Sequence, residues 1–165
     1  MTTQAVYRAI GSPVRFKDTD ATYTLTLNNL ATVVGRISDR WDRGAGSLPM
    51  MYRWKAVMQF ETAPVVGEWV EILKSESDGT NEDGNVGTAD AALTAGQKLN
   101  LKLLGIVKVQ TTDVDVDFIA SGMCMIWERY VSIGVWNNTV DNLAAHNDVS
   151  WVELTPMYDE IQAAA

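Results

Sequence analysis

The sequence is poor in the residues that most often build reactive or metal-binding centres. It contains one cysteine and one histidine, Cys124 and His146. A single cysteine excludes an internal disulfide, and this pair cannot supply the His/Cys ligand sets of common zinc sites. Cys124 lies in the apolar run 123–127, where a free cysteine acts as a small hydrophobe, and no nucleophile signature flanks it. We therefore predict no catalytic residue, no metal-binding residue and no cofactor, and a protein that is not an enzyme.

Paired carboxylates are the catalytic arrangement that the composition leaves open. Glu61, Glu68 and Glu71 could meet across a sheet in the manner of a glycosidase. Most acidic pairs on sheets are solvated surface groups, so a glycan-cleaving enzyme requires two carboxylates that face each other across a cleft.

Long hydrophobic runs and a basic surface are also lacking. No apolar run approaches the ~20 residues that span a bilayer, and the first ten residues lack the apolar core of a signal peptide. The net charge of −8 and the pI near 4.5 disfavour a grip on nucleic acid, which requires a basic face. We expect synthesis in the cytoplasm without a signal peptide, and neither a nucleic-acid nor a membrane partner.

What is present is a strong period-two pattern over residues 50–60. Alternate residues on one side of this stretch are apolar, which predicts a long strand with one face in a core: Met50, Tyr52, Trp54, Ala56, Met58 and Phe60. Pro64 and Gly67 then mark a turn. Residues 68–74 are apolar on both faces, which predicts a strand that is covered on two sides.

Further strands are predicted along the rest of the chain. They cover residues 14–16, 21–27, 33–37, 103–109, 119–127, 130–137 and 149–155, the last ended by Pro156. The run 119–127 is apolar on both faces and predicts a central or doubly covered strand, whereas residues 94–101 predict one or two helical turns capped by Thr94. The fold class is therefore all-β: a two-sheet antiparallel sandwich, jelly-roll-like, with about eight strands and at most one short helix. We expect a single domain over 1–165, with an N-terminal lead-in at 1–13 and a C-terminal tail at 157–165.

Two segments are candidates for contact with a partner. The loop 38–49 and its flank carry tryptophan and arginine beside flexible glycines, and these residue types dominate binding hot spots: Arg36, Arg40, Trp41 and Arg43. The alternative is a solvated turn with local Arg–Asp pairs. Asp113, Asp115 and Asp117 are predicted to share one strand face, where their repulsion is relieved by solvent or by basic residues of a partner.

The acidic segment 75–85 is predicted to be an exposed tip. Asp78, Asn81, Glu82 and Asp83 offer oxygen ligands of the kind that calcium takes. Their spacing does not match an EF-hand loop, so a hydrated loop is the favoured interpretation.

Four stretches of the chain resemble small structural proteins of tailed bacteriophage virions, in particular capsid decoration (cement) proteins. They are YRWKAVMQFETAPVVGEWVEILKSESDGT (52–80), KLNLKLLG (98–105), ERYVSIGVWNNT (128–139) and LTPMYDEI (154–161). The resemblance runs from about residue 12 onward and implies a β-sandwich subunit on the virion surface. The implied partners are the major capsid protein and copies of the chain itself, in a homo-oligomer such as a trimer.

Two other functions compete with this one. The first is a phage tail or neck component, and the second is a carbohydrate-binding jelly-roll module. A sugar site requires two or three aromatic side chains on one coplanar strip, whereas an assembly subunit distributes them over several interfaces.

Overall fold

The computed structural model describes residues 5–19, 23–46, 48–146 and 148–162, and omits the side chains of 5–9 and 159–162. These residues form eleven strands: β1 (Ala5–Ile10), β2 (Val14–Lys17), β3 (Gly35–Ile37), β4 (Trp41–Asp42), β5 (Met51–Met58), β6 (Trp69–Ser77), β7 (Ala91–Leu93), β8 (Lys102–Lys108), β9 (Phe118–Met125), β10 (Tyr130–Asn137) and β11 (Trp151–Gln162). A 3-10 turn (Asp83–Asn85) and a one-turn helix, α1 (Ala95–Lys98), complete them. Among the described residues no helix has the length and apolarity to cross a membrane.

The strands form two antiparallel sheets. Sheet A has the order β1-β11-β5-β9, with β2 also pairing with β11, and sheet B has the order β7-β3-β10-β6-β8, with β4 also pairing with β10. Eight of these strands make up the jelly-roll pattern: β2, β3, β5, β6, β8, β9, β10 and β11. Numbered in that sequence, sheet A runs first-eighth-third-sixth and sheet B runs second-seventh-fourth-fifth, which is jelly-roll wiring. The predicted sandwich is confirmed.

The alternating stretch forms β5, in the interior of sheet A. Tyr52, Trp54 and Met58 are at most 4% exposed and point into the core between the sheets. Arg53 and Lys55 point outward. The predicted strand and its buried face are confirmed, except that Met50 precedes the strand and is 43% exposed.

β6 is buried on both faces, as its pattern predicts. Val70 and Ile72 face the core between the sheets, whereas Leu73 belongs to a second apolar cluster on the outer side of sheet B. That cluster also contains Trp136, Val86 and Leu93, so part of the segment between β6 and β8 covers it. Sheet B therefore has a covered outer face.

The prediction of a central strand at 119–127 is wrong, because β9 is the edge strand of sheet A. Phe118 is buried, but Ile119 (52% exposed), Met123 (49%) and Met125 (44%) face solvent. A sequence that is apolar on both sides is compatible with an open apolar face, which periodicity cannot distinguish from a covered one.

The interpretations of the two chain ends as lead-in and tail are corrected. Residues 5–10 form β1, which pairs with the second half of β11, and β11 continues past Pro156 to residue 162. The carbonyl of Pro156 accepts from Gly11 N at 2.9 Å, in the short gap between β1 and β2. A missing N–H is tolerated there because no strand requires it as a donor. Residues 1–4 and 163–165 lie outside the described residues.

The predicted strand at 21–27 is also corrected, as far as it is described. Residues 23–27 contain one isolated bridge and no strand, although Leu25 and Leu27 are buried. Side chains take two backbone donors of this segment: Thr24 N donates to Asp39 at 3.0 Å and Thr26 N to Asp90 at 3.1 Å, whereas Leu25 N donates to the Lys17 carbonyl at 3.0 Å. The alternation of polar and apolar residues therefore reflects burial of every second side chain in a segment that forms no β-ladder. Residues 21 and 22 lie outside the described part.

Candidate interaction surface

Trp41 lies in the core, which contradicts the prediction of an exposed contact residue. It is 9% exposed, and its ring makes edge contacts with Phe16 (6.5 Å), Tyr23 (6.3 Å) and Tyr52 (6.0 Å). Its backbone forms β4 against β10. The sequence could not reveal this because a two-residue strand leaves no periodicity, and the nearby glycines suggested a mobile loop.

The three predicted arginines are engaged inside the subunit. Arg43 donates to the Tyr52 hydroxyl at 3.0 Å and to the carbonyls of Pro49 and Glu128. Arg36 pairs with the Asp90 carboxylate, and the Arg40 guanidinium lies 4.6 Å from the centre of the Tyr130 ring. The loop is therefore pinned to the sandwich; a contact with a neighbour stays a prediction for the partly exposed Arg36 and Arg40.

The neighbouring Asp42 pairs with Arg129, 87 residues along the chain, and not with an arginine of the loop, so this ion pair is not the local Arg–Asp pair of the alternative interpretation. Arg129 donates to both carboxylate oxygens, at 2.7 and 2.6 Å. Hydrogen bonds from Arg129 and from Gly44 N lower the pKa of Asp42 to about 2. The pair is exposed to solvent and closes the loop against the start of β10.

Asp113, Asp115 and Asp117 lie in the loop 110–117 between β8 and β9, so their assignment to a strand face is wrong. The chain turns at 114–115, where Asp115 has a left-handed φ of 58°. Asp113 accepts from Thr111 Oγ1 at 2.6 Å and Asp117 from Gln59 Nε2 at 2.7 Å. Residues 112–117 are all exposed, and within the described part no lysine or arginine pairs with these carboxylates.

The outward side of sheet A, here called the open face, carries an apolar row and several cations. Directly opposed residues of four neighbouring strands share the row, here called the methionine row: Ile10, Met157, Met51 and Met125. Ile10 is 67% exposed. The register places four cations nearby on the same face: Arg15, Lys17, Arg53 and Lys55. Methionine adapts its shape to a partner and is common on binding surfaces.

A second exposed apolar group, here called the valine patch, lies at one end of the sandwich: Val33, Val34, Val65, Val66, Trp69 and Val140. These side chains are 41–65% exposed. Backbone hydrogen bonds bring their segments together, since Val33 N donates to Asn137 O (2.8 Å) and Asn138 N to Trp69 O (3.2 Å). Val140 N donates to the Glu68 carboxylate at 3.0 Å. Contiguous exposed apolar side chains are typical of interaction sites.

Glu76 organises an acidic cavity at the opposite end of β6. Its buried carboxylate accepts from Lys74 and from the backbone N–H groups of Trp127 (2.6 Å) and Glu128 (3.1 Å). Burial alone raises the pKa of Glu76, but these hydrogen bonds outweigh it and the net shift is downward. The cavity of about 250 Å³ is open to solvent and is lined further by Asp78, Asn81, Glu82, Asp83 and Lys102, among others. Every Glu76 oxygen already has a donor, so the arrangement is structural.

The geometry of the lone cysteine disfavours nucleophilic catalysis. Cys124 points inward from β9 and packs against the core. Burial raises the pKa of its thiol to about 11. A nucleophilic cysteine requires a thiolate near neutral pH.

Sequence reasoning missed the open face and the valine patch. The outward methionines are separated by up to a hundred residues and become neighbours only through strand register. The valines of the patch belong to three separate loops. The one available signal is the doubly apolar pattern at 119–127, which is compatible with an exposed apolar face as well as with a covered strand.

No family model and no curated protein matches this chain. One solved structure to which the chain is similar is the EclA C-terminal domain, described as a sugar-binding protein. It matches with a TM-score of 0.28 and 10% identity, over 92% of this chain and 79% of that one. A likeness of this degree carries no inference about function.

Proposed function

We propose that this protein is a non-enzymatic structural subunit of a phage virion that attaches to the capsid lattice as a decoration (cement) protein. The observation that carries the proposal is the valine patch, to which five aliphatic side chains and one tryptophan contribute. An aromatic anchor surrounded by aliphatic groups is a common composition of a binding hot spot. The sequence resemblance to decoration proteins supports the nature of the partner.

Backbone strain at the patch supports a role in binding. Val33 has φ of 57°, in the left-handed region that β-branched residues rarely occupy. Such a residue costs of order 1–3 kcal/mol and persists only where its surroundings hold it. Two backbone hydrogen bonds hold this segment: Val33 N donates to Asn137 O, and Asn137 N donates to Val34 O. The Val33 side chain remains 65% exposed. Because the Val33 side chain does not enter the core, core packing does not require this strained backbone conformation.

The distribution of exposed tryptophans favours an assembly subunit over a sugar-binding strip. Trp69 begins β6, whereas the backbone of Trp127 bonds to Glu76 near the end of that strand. Seven residues of strand separate the two positions by ~23 Å. One coplanar strip does not include both.

Co-sedimentation with phage heads that lack this protein tests the proposal. Val140→Asp places a charge in the valine patch and should weaken attachment about tenfold or more, because it desolvates a carboxylate at the contact. Leu99→Asp is the matched control, since Leu99 is 85% exposed and lies outside the patch. Both variants should melt like the wild type.

Two outcomes contradict the proposal. The first is failure of the wild type to sediment with the particles, and the second is equal attachment of Val140→Asp. If the wild type ignores particles but binds an oligosaccharide in calorimetric titration, the carbohydrate-binding alternative replaces it.

A further inference from the structure

The open face of sheet A is basic, although the chain is acidic overall. Arg15, Lys17, Arg53 and Lys55 face outward, and the one carboxylate in the same cross-strand rows is Glu153, which Arg15 binds at 2.8 Å. Lys17 lies 3.5 Å from Asp148 at the rim. Arg53 and Lys55 pair with no carboxylate of the described residues. The face therefore presents two cations without a carboxylate partner on the strand that also carries Met51, and Lys55 Nζ lies 5.3 Å from the centre of the Trp151 ring.

The loop 110–117 has the complementary chemistry. Three exposed aspartates alternate with two exposed valines, Val114 (45%) and Val116 (38%). Asp113 accepts a hydrogen bond from Thr111 and Asp117 accepts one from Gln59, but none of the three aspartates pairs with a cation of the described part. Apolar side chains beside unpaired carboxylates match a surface that places an apolar row beside cations without a carboxylate partner.

We propose that the loop 110–117 of one copy docks on the open face of a second copy. Its carboxylates then meet Arg53 and Lys55, and its valines cover the methionine row. On its own subunit the loop joins the sheet three residues before Ser121, the cross-strand partner of Lys55, but it does not extend to the methionine row. It joins β9 at Phe118, and Met125 of the methionine row lies seven residues along that strand, ~23 Å away.

The contact is head-to-tail, since the loop and the face are different surfaces of one subunit. Such contacts close into rings or extend as chains. Four strands at ~4.8 Å spacing and seven residues of strand give a face of ~19 by ~23 Å, which is small beside a standard interface of ~800 Å² per partner. A single contact is therefore weak, and closure of a ring in which every copy uses both surfaces stabilises the assembly. This inference rests on the proposed function for its biological role, but it concerns the protein alone.

Sedimentation velocity of the purified full-length chain without particles tests the inference. The wild type should associate with rising concentration, and ~1 M salt, where the Debye length is ~3 Å, should weaken the association. Arg53→Glu and Asp113→Lys should each raise the dissociation constant about tenfold or more, by placing like charges opposite each other. The double variant should associate again, because its reversed charges are complementary. Asp115 is left intact because its left-handed φ disfavours lysine.

Matched controls separate the specific contact from net charge. Lys108→Glu and Glu128→Lys make the same changes of charge at exposed positions outside both surfaces, and they should associate like the wild type. A wild type that stays monomeric, or single variants that associate normally, overturns the inference. Loss in Arg53→Glu but not in Asp113→Lys also overturns it, since the face then binds another acidic segment. Attachment to phage heads is measured separately, so a monomer that still binds particles refutes this contact and leaves the proposed function standing.

Discussion

The indole of Trp54 lies directly against the backbone of Gly122, its cross-strand partner on β9. A Cβ added at Gly122 falls 2.7 Å from Trp54 Nε1, which is closer than real side chains approach. On the opposite side, a Cβ at Gly105 of β8 falls 2.5 Å from Trp54 Cζ2. The largest side chain of β5 therefore occupies space that two glycines leave vacant, and it fixes the distance between the edges of the two sheets.

We predict that Gly122→Ala lowers the free energy of unfolding by about 1–3 kcal/mol, because the core must shift to accept a methyl group. Trp54→Ala should cost about 3–5 kcal/mol. In the double variant the methyl group enters the vacated space, so the two costs should not add. Chemical denaturation of the four proteins measures this coupling. Simple additivity contradicts the packing described here.

Trp41→Ala should lower the free energy of unfolding by about 3–5 kcal/mol, because three aromatic rings lose their contact with the indole. Trp127→Ala is the control, since Trp127 is 61% exposed and its truncation should change stability by no more than about 0.5 kcal/mol. Thermal melts compare the two variants with the wild type. Equal melting temperatures for wild type and Trp41→Ala remove Trp41 from the core.

The buried carboxylate of Glu76 should make stability depend on pH. Its folded-state pKa is lowered below the ordinary value of 4.5, so its contribution is present above that value and is lost as the pH falls through the folded-state pKa. Glu76→Gln keeps the shape but loses the charge that Lys74 and two backbone N–H groups require. The variant should be less stable at neutral pH and should lose less stability on acidification. The free energy of unfolding is measured by urea titration of both proteins at several pH values in this range. If it changes with pH equally in the wild type and in Glu76→Gln, the prediction is wrong.

Removal of divalent cations should leave the melting temperature unchanged. The acidic segment is organised by its own backbone: Asp78 accepts from Thr80 N and Asn81 N, both at 2.7 Å. These hydrogen bonds lower the pKa of Asp78, as expected for a carboxylate that closes a turn. A melt with and without chelator is the measurement. A lower melting temperature in chelator assigns the segment to a structural cation.

Local patterns of apolar residues predict the strands that are covered on one face, such as β5, or on both faces, such as β6. β5 alternates because its inner side meets the core and its outer side meets solvent. Thr94 predicts the start of α1: its hydroxyl accepts from Gln97 N at 3.2 Å, and Thr94 N donates to Gln97 Oε1 at 3.0 Å. These features depend on residues that are close in sequence, so they can be predicted from the sequence alone.

Features that depend on register were not predictable. Trp41 is buried by partners from three distant segments, and Pro156 continues a strand because of where β1 ends and β2 begins. The methionine row on the open face exists only because β1, β11, β5 and β9 each place one apolar residue at the same register position. The carboxylates of 110–117 were identified, but their alternation with valines suggested a strand where the chain turns.

The position of β11 in the interior of sheet A has a consequence for biogenesis. The ribosome makes this strand after every other described strand, yet β1 and β2 pair with no other described strand, apart from one isolated bridge between Lys17 and Thr24, and β11 separates them from β5. The first two strands therefore emerge without a partner and wait for more than a hundred residues of synthesis. Long-range pairing of this kind slows folding and prolongs exposure of unpaired strands. Sheet B and the β5–β9 pair can assemble earlier, so the nascent chain forms about half of the sandwich first and completes it when β11 is made.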